Sequence, residues 1–148
     1  MDLQARNIVP SANVYVGLGS NLGFGNFSSR ELLQLAIRKL GAGGDEVVAT
    51  SGYWVSNAWP AHAGTPDFVN AVCRIRPHDS GPAQLLRRLH QIEAELGRQR
   101  DQFDRWAPRS LDLDLLDYNG LILENCSFPT LPHPRMVERD FVLYPLLQ

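Results

Sequence analysis

Apolar residues recur along the chain with two different periods, and these periods mark the predicted strands and helices. Alternation of apolar and polar positions, with β-branched and aromatic content, predicts strands over residues 13–20, 46–57, 67–76, 111–118 and, more briefly, 121–124. Helical spacing predicts one helix that starts after a serine cap, Ser28 or Ser29, and runs to Leu40. It predicts a second helix over 82–96.

The order of these elements predicts the fold class. Strand, helix, two strands, helix and strand follow one another, with a hairpin added at a tight Asn119-Gly120 turn and a terminal helix beginning near Met136. This order is that of a ferredoxin-like α+β sandwich, an antiparallel sheet with both helices on one face. We therefore expect one domain over 13–148, preceded by a flexible polar arm over 1–12.

Composition and charge narrow the class of protein. Of 148 residues, 44% are hydrophobic and 20% are charged, which is typical of a soluble globular domain. The formal net charge of -2 provides no overall field for nucleic acid, and no apolar run approaches the roughly 20 residues of a membrane helix. The N-terminus lacks a basic region followed by an apolar stretch, so we expect a cytoplasmic protein. We also expect a monomer that binds neither nucleic acid nor membrane.

The two cysteines indicate neither a disulfide framework nor a zinc site. Neither Cys73 nor Cys126 has a second cysteine or a histidine at zinc-ligand spacing. Cys73 lies in the apolar run 68–75, and we predict that it packs as a small buried hydrophobe.

Two aspartates on the last long strand are the sharpest candidate for chemistry. Side chains alternate between the faces of a strand, so Asp112 and Asp114 share one face, about 7 Å apart, while Leu111, Leu113 and Leu115 share the other. Neighbouring carboxylates repel unless a cation lies between them. Hard oxygen ligands of this kind bind Mg²⁺, whose remaining ligands are waters and substrate phosphates. The alternative at this point is an ordinary solvated strand face.

Arginines cluster on both sides of this acidic pair. Six of the 13 arginines lie in one stretch of sequence, namely Arg98, Arg100, Arg105, Arg109, Arg135 and Arg139. Guanidinium forks suit bidentate binding of phosphate, and phosphate transfer requires cations over the phosphates with a metal that bridges them. Arg105 and Trp106 lie in a loop that could fold over a ligand; ordinary packing is the alternative for Trp106. The combination indicates a site for a nucleotide's phosphates.

Six motifs occur in an order that resembles one enzyme family. They are GLGSNLG (17–23), PDFVNAV (66–72), ELGR (95–98), RWAPRSLDLD (105–114), LPHPRM (131–136) and ERDFVLYPL (138–146). Together they resemble the 6-hydroxymethyl-7,8-dihydropterin pyrophosphokinases of folate biosynthesis, and the resemblance extends from Val14 to the C-terminus. It implies the ferredoxin-like fold and an ATP-dependent diphosphokinase. In that reaction the β,γ-diphosphate of ATP passes to the hydroxymethyl group of the dihydropterin and leaves AMP.

The resemblance also implies roles for individual residues. For two Mg²⁺ ions the implied ligands are Asp112 and Asp114, and the implied catalytic residues are these two with Arg98 and Arg109. The implied contacts of ATP, the co-substrate, are Glu93, Arg100, Arg105, Arg109, Leu115, Thr130, His133 and Arg139. The implied pterin contacts are Asn57, Ala58, Trp59, Pro60, Phe68, Asn70, Trp106, Asp112 and Phe141.

The residues favour a flat heterocyclic ligand independently of the resemblance. Pterin is planar and rich in hydrogen-bond donors and acceptors, so it requires aromatic faces and a few fixed polar groups. Phe68 and Asn70 lie at i and i+2 of a predicted strand and therefore share a face. The alternative for Phe68 is simple core packing.

Two other classes of function stay open at this point. One is a ferredoxin-like module that binds RNA, because this fold hosts many unrelated functions. In such a module Asp112 and Asp114 would repel phosphate in the absence of metal. The other is a nucleotide-sugar transferase with a DxD metal site, for which 148 residues is small.

Overall fold

Five strands and two helices make up the part of the chain that the structure describes. This computed structural model describes residues 13–57, 66–78, 81–98, 110–124 and 129–134, so the predicted arm over 1–12 and the predicted terminal helix lie outside it. In chain order the elements are β1 (Val14–Ser20), α1 (Ser29–Ala42), β2 (Glu46–Thr50), β3 (Trp54–Ser56), β4 (Phe68–Arg76), α2 (Pro82–Glu95) and β5 (Asp112–Tyr118). Neither described helix has the length and apolar character needed to cross a membrane.

The strands form one antiparallel sheet. Its order is β2-β4-β1-β5, and β3 pairs with β4 on the same side as β2. The first strand therefore lies in the middle of the sheet, between β4 and β5. Both helices pack on the same hydrophobic core as these strands. The predicted ferredoxin-like α+β sandwich is confirmed.

Both helices begin where the sequence predicts them. Ser28 caps α1: its Oγ accepts a hydrogen bond from the Glu31 backbone N–H, and the Glu31 carboxylate accepts one from the Ser28 N–H. Pro82 starts α2, where a missing N–H breaks no helical hydrogen bond. The helices bury a row of leucines against the sheet, namely Leu32, Leu33, Leu40, Leu85 and Leu89.

One face of the sheet forms the core with these helices. The strand residues that contribute to it are Val14, Val16, Leu18, Ala71, Cys73, Ile75, Leu113 and Leu115. Cys73 is fully buried, as predicted, and burial raises the pKa of its thiol to about 12. Because side chains alternate, the opposite face of the same strands carries the polar residues that the sequence singles out.

The predicted strand over 46–57 is wrong in one respect, since the structure divides it into β2 and β3. Between them Ser51 keeps the chain attached to β4. Its N–H donates to the Val72 carbonyl at 2.8 Å, and its Oγ accepts from the Val72 N–H at 2.9 Å. Oγ of Ser51 thus accepts the hydrogen bond that a backbone carbonyl accepts in a regular strand. Hydrogen bonding to β4 therefore continues between β2 and β3 without regular strand geometry.

The predicted return strand over 121–124 is also wrong. Within the described residues this segment makes only an isolated bridge, from Leu123 to Leu131. The place of a return strand beside β5 is taken by His133, whose backbone N–H donates to the Leu116 carbonyl at 2.8 Å. Four alternating residues do not reveal which segment of the chain will reach that edge of the sheet.

Candidate active site

The face of the sheet opposite the helices has two glycines in its middle strand, β1. In β1, Gly17 and Gly19 lie directly across from Asp114 and Asp112 of β5, and Gly19 also lies across from Asn70 of β4. Because glycine has no side chain, β1 places none between the carboxylates of β5 and the amide of β4. The buried side chain of Leu116 packs over Gly17, 3.4 Å from where a Cβ on that glycine would lie. A Cβ on Gly19 would lie 3.3 Å from Oδ1 of Asn70. We call this strip, defined by Gly17 and Gly19, the glycine trough.

The two aspartates form one wall of the glycine trough. Asp112 and Asp114 share this face, as predicted, whereas Leu113 and Leu115 lie in the core. The aspartate side chains are 21% and 29% exposed, so both are accessible to a ligand from the open side. His133 approaches the same wall, with Nε2 at 4.0 Å from Oδ1 of Asp114. We call Asp112 and Asp114 the acid pair.

The acid pair suits a divalent cation that takes its other ligands from a substrate. No group of three or more His, Cys, Asp or Glu side chains in the described ranges could hold a metal ion. Two carboxylates with the rest of the coordination shell open are typical of Mg²⁺ sites that phosphate oxygens and waters complete. The side chains therefore fit Mg²⁺ bound together with a nucleotide better than a closed structural metal site.

The C-terminus of α2 brings a guanidinium to the acid pair. Gly97, with φ of 93°, ends the helix in a Schellman motif, in which the Arg98 N–H donates to the Glu93 carbonyl at 2.9 Å. The Arg98 side chain then turns towards β5. Its Nη1 donates to Oε2 of Glu93 at 2.6 Å and to Oδ1 of Asp112 at 2.7 Å.

The charge of Arg98 is secured by its surroundings. Burial lowers the pKa of this guanidinium, but the nearby carboxylates of Asp112 and Glu93 outweigh burial and raise the pKa above its ordinary value. Arg98 is thus a permanent cation, only 12% exposed, at the end of the acid pair.

The Glu93 carboxylate bonds to the backbone of β5 in addition to the Arg98 guanidinium. Its side chain is 2% exposed, and Oε2 also accepts from the backbone N–H of Leu113 at 2.8 Å. That N–H points to the side of β5 away from β1. The carboxylate is directed at the protein's own donors here, and its contact with ATP stays a prediction.

Truncation of Glu93 should destabilise the fold. Glu93→Ala removes the acceptor of a buried backbone N–H and one of the two carboxylates that hold Arg98, so we expect a loss of about 3 kcal/mol in the free energy of unfolding. Glu93→Gln keeps an acceptor and should cost about half as much. Urea unfolding followed by circular dichroism measures both variants. A loss below about 1 kcal/mol for Glu93→Ala would contradict the structural role.

Residues of β3 and β4 form the opposite wall of the glycine trough. Asn70 is 3% exposed, and its Nδ2 donates to the Trp54 carbonyl at 3.2 Å and to Oγ of Ser56 at 2.8 Å. A Cβ on Gly19 would lie 3.6 Å from Cδ1 of Phe68 as well as beside Asn70. The prediction that Phe68 and Asn70 share one face is confirmed, and their face is that of the acid pair.

The turn after β1 is tied to the segment that leads into β4. Asn21 is buried, and its Nδ2 donates to the carbonyl of Pro66 at 3.2 Å. This bond fixes the approach to Phe68, two residues after Pro66, relative to the end of the glycine trough.

The remaining predicted site residues fall into three groups. The Leu115 side chain is buried in the core, so only its backbone could reach ATP. Asn57 and Thr130 are exposed. The predicted residues outside the described ranges are Ala58, Trp59, Pro60, Arg100, Arg105, Trp106, Arg109, Arg139 and Phe141.

The sequence pattern does not single out Ser56 or Asn21 as parts of the site. Each acts on a residue far along the chain, so its role depends on strand register and turn geometry. The alternating glycines of β1 are the available signal for the trough, because Gly17 and Gly19 remove two successive side chains from one face.

Comparison with known proteins identifies a family for this chain. A family model described as 7,8-dihydro-6-hydroxymethylpterin-pyrophosphokinase matches residues 15–148. The folic acid synthesis protein fol1 of Pneumocystis carinii is 38% identical over 146 residues, which cover 98% of this chain and 18% of that protein. The 2-amino-4-hydroxy-6-hydroxymethyldihydropteridine pyrophosphokinase of Synechocystis is 40% identical over 134 residues, or 90% of this chain and 64% of that protein. The chain thus spans less than two thirds of the length of either of these relatives.

This chain covers a larger share of the 2-amino-4-hydroxy-6-hydroxymethyldihydropteridine pyrophosphokinase of Haemophilus influenzae. It is 38% identical over 135 residues, which make up 90% of this chain and 79% of that protein.

Proposed function

The chain belongs to the 7,8-dihydro-6-hydroxymethylpterin-pyrophosphokinase family, and we propose that it catalyses the reaction for which that family is named. The β,γ-diphosphate of ATP is transferred to the hydroxymethyl group of 6-hydroxymethyl-7,8-dihydropterin. The products are AMP and the dihydropterin diphosphate, an intermediate of folate biosynthesis. The resemblance carried by the six sequence motifs is confirmed at the level of the family.

One observation carries the proposal. The acid pair and the buried amide of Asn70 lie on one face of the sheet, on opposite sides of β1, and the Arg98 guanidinium donates a hydrogen bond to Asp112 of that pair. A strip with this order of groups can take a polyphosphate at the charged end and a flat polar heterocycle at the amide end.

We assign Mg²⁺ to the acid pair, with two ions as the family resemblance implies. When bound, these ions would supply positive charge that offsets the negative charge of the phosphates. Asp112 and Asp114 would hold the ions, and both carboxylates are accessible from the trough. Asp112 lies in the same row across the sheet as Gly19 and Asn70, which supports a second role in orienting the hydroxymethyl group.

Arginine side chains supply the remaining positive charge. Transfer of a diphosphate needs no covalent intermediate with the protein, so positioning and charge stabilisation account for the catalysis. Arg98 and Arg109 are assigned to the charge that develops on the β-phosphate and on the bridging oxygen. Interactions of this kind, stronger in the transition state than in the ground state, raise turnover more than affinity.

The substrate contacts extend from these groups along the trough and into the flanking loops. The proposed ATP contacts are Glu93, Arg100, Arg105, Arg109, Leu115, Thr130, His133 and Arg139. The proposed pterin contacts are Asn57, Ala58, Trp59, Pro60, Phe68, Asn70, Trp106, Asp112 and Phe141. The aromatic members would stack on the faces of the bicycle while Asn70 bonds to its edge.

The nucleotide product tests the function directly. Purified protein, ATP, Mg²⁺ and 6-hydroxymethyl-7,8-dihydropterin are incubated together, and the nucleotides are separated by ion-pair chromatography. We expect AMP in proportion to consumed pterin and none when the pterin is omitted. ADP as the product would contradict diphosphate transfer, and no nucleotide turnover would favour the RNA-binding or sugar-transfer alternatives.

We also propose the domain organisation, the oligomeric state and the location of the protein. We assign residues 13–148 to a single catalytic domain that acts as a monomer in the cytoplasm and binds no nucleic acid. Residues of β1, β3, β4 and β5 from one chain line the part of the trough that the structure describes, which supports a site complete within one chain. Light scattering after size-exclusion chromatography checks the monomer, and a dimer mass would overturn it.

A further inference from the structure

The amide group of Asn70 has only one chemically allowed orientation. The atom of this amide that faces Trp54 lies 3.2 Å from a backbone carbonyl oxygen, which can only accept a hydrogen bond. That atom must therefore be the nitrogen, because the amide oxygen would place two acceptors against each other. The NH₂ group is consequently turned towards β3 and Oδ1 towards Gly19.

Ser56 accepts the second hydrogen bond of this NH₂ group. Its Oγ lies 2.8 Å from Nδ2 of Asn70 and accepts the second N–H. Ser56 pairs with Phe68 and Trp54 with Asn70 in the β3–β4 register, so the serine lies on the trough face, one row from the amide. Both donors of the Asn70 amide are thus occupied by β3.

The Asn70 side chain therefore presents a hydrogen-bond acceptor, Oδ1, to a ligand in the trough. With both N–H groups held by β3, the Asn70 side chain can offer only Oδ1 to a molecule lying over Gly19. The edge of a heterocycle that reaches this point must carry an N–H donor. The 2-amino-4-oxo edge of a pterin carries such donors, whereas an edge with ring nitrogens and carbonyls alone carries none.

We propose that Ser56 is a positioning residue that sets the specificity of the trough for a donor-bearing heterocycle by fixing the Asn70 amide. The inference rests on the proposed function, since it names the device that selects the pterin in that reaction. Without Ser56 one N–H of Asn70 loses its partner, and the amide can tilt away from the orientation that presents Oδ1.

The test compares Ser56→Ala with Ser56→Thr and with a matched control. Ser51→Ala removes a hydroxyl that also bonds to β4, but to the backbone of Val72 rather than to a trough side chain. Binding of 6-hydroxymethylpterin and of ATP is measured by isothermal titration calorimetry, and steady-state kinetics give kcat and KM for the dihydropterin. Thermal unfolding shows that each variant is folded.

For Ser56→Ala we expect the pterin Kd and KM to rise about tenfold, the scale of one misplaced hydrogen bond. The Kd of ATP should not change, and kcat at saturating pterin should stay within about threefold of wild type. Ser56→Thr keeps the hydroxyl and should restore pterin binding, and Ser51→Ala should leave it unchanged.

Two results would overturn the inference while the wild-type enzyme forms AMP. One is a pterin Kd unaltered in folded Ser56→Ala, and the other is an equal loss in Ser51→Ala, which would reduce the role of Ser56 to strand pairing. If wild type neither binds the pterin nor forms AMP, the proposed function fails, and the orientation of Asn70 is then a structural feature only.

Discussion

Asp114→Asn should abolish diphosphate transfer. The substitution keeps the size and the acceptor of the side chain but removes the charge that a hard divalent cation requires. Metal stabilisation of phosphoryl transfer is worth several kcal/mol, which corresponds to a fall in kcat of at least roughly 10³-fold. AMP formation is measured across a range of Mg²⁺ concentrations, and we expect no recovery at the highest of them.

Asp117→Asn is the matched control for that experiment. Asp117 lies on the same strand, but it accepts from the Gly120 N–H in the following turn, a bond that asparagine can also accept. Its activity should equal that of wild type. Binding of Mn²⁺, followed by electron paramagnetic resonance in the absence of substrates, should weaken for Asp114→Asn and not for Asp117→Asn. Near-normal turnover of Asp114→Asn would refute the metal role of the acid pair.

Arg98→Ala should lower turnover by roughly 10²- to 10³-fold, the scale of losing one charged group that stabilises the transition state. ATP binding should change little, because other cations are assigned to the phosphates. The kinetic test is kcat against the Kd of ATP measured by calorimetry. Loss of ATP affinity with kcat preserved would overturn the assignment.

The same variant should bind divalent cations more tightly before substrates arrive. In the structure Nη1 of Arg98 lies 2.7 Å from Oδ1 of Asp112, so the guanidinium competes with a cation for that carboxylate. Removing it should tighten Mn²⁺ binding roughly tenfold, since a charge pair of this kind is worth about 1.4 kcal/mol or more. Arg87→Ala, an exposed arginine of the same helix, serves as the control and should leave Mn²⁺ binding unchanged.

Local patterns were sufficient for both described helices, for β1, β4 and β5, and for the orientation of the acid pair. Period-two alternation placed Asp112 and Asp114 on one face because Leu111, Leu113 and Leu115, which alternate with them, have only the core to enter. The Ser28 cap was visible because capping chemistry lies within four residues of sequence. The resemblance added the family, which the comparisons confirmed.

Features that depend on register were not predictable from the sequence. The division of 46–57 into two strands follows from a side-chain hydrogen bond of Ser51 to a residue of β4, and no periodicity encodes it. The same holds for Arg98, whose partners lie on its own helix and on β5. Sequence composition indicated a cationic segment, but only the three-dimensional arrangement shows which carboxylate a given arginine meets.

The side-chain contacts of β5 have a consequence beyond catalysis. Glu93 occupies the outward N–H of Leu113, and Arg98 lies 3.4 Å from the outward carbonyl of Leu111. Unoccupied backbone groups at a sheet border invite strand exchange between molecules, and thereby aggregation. Glu93 and Arg98 therefore also shield this border, so removal of either side chain should make the protein more prone to precipitation.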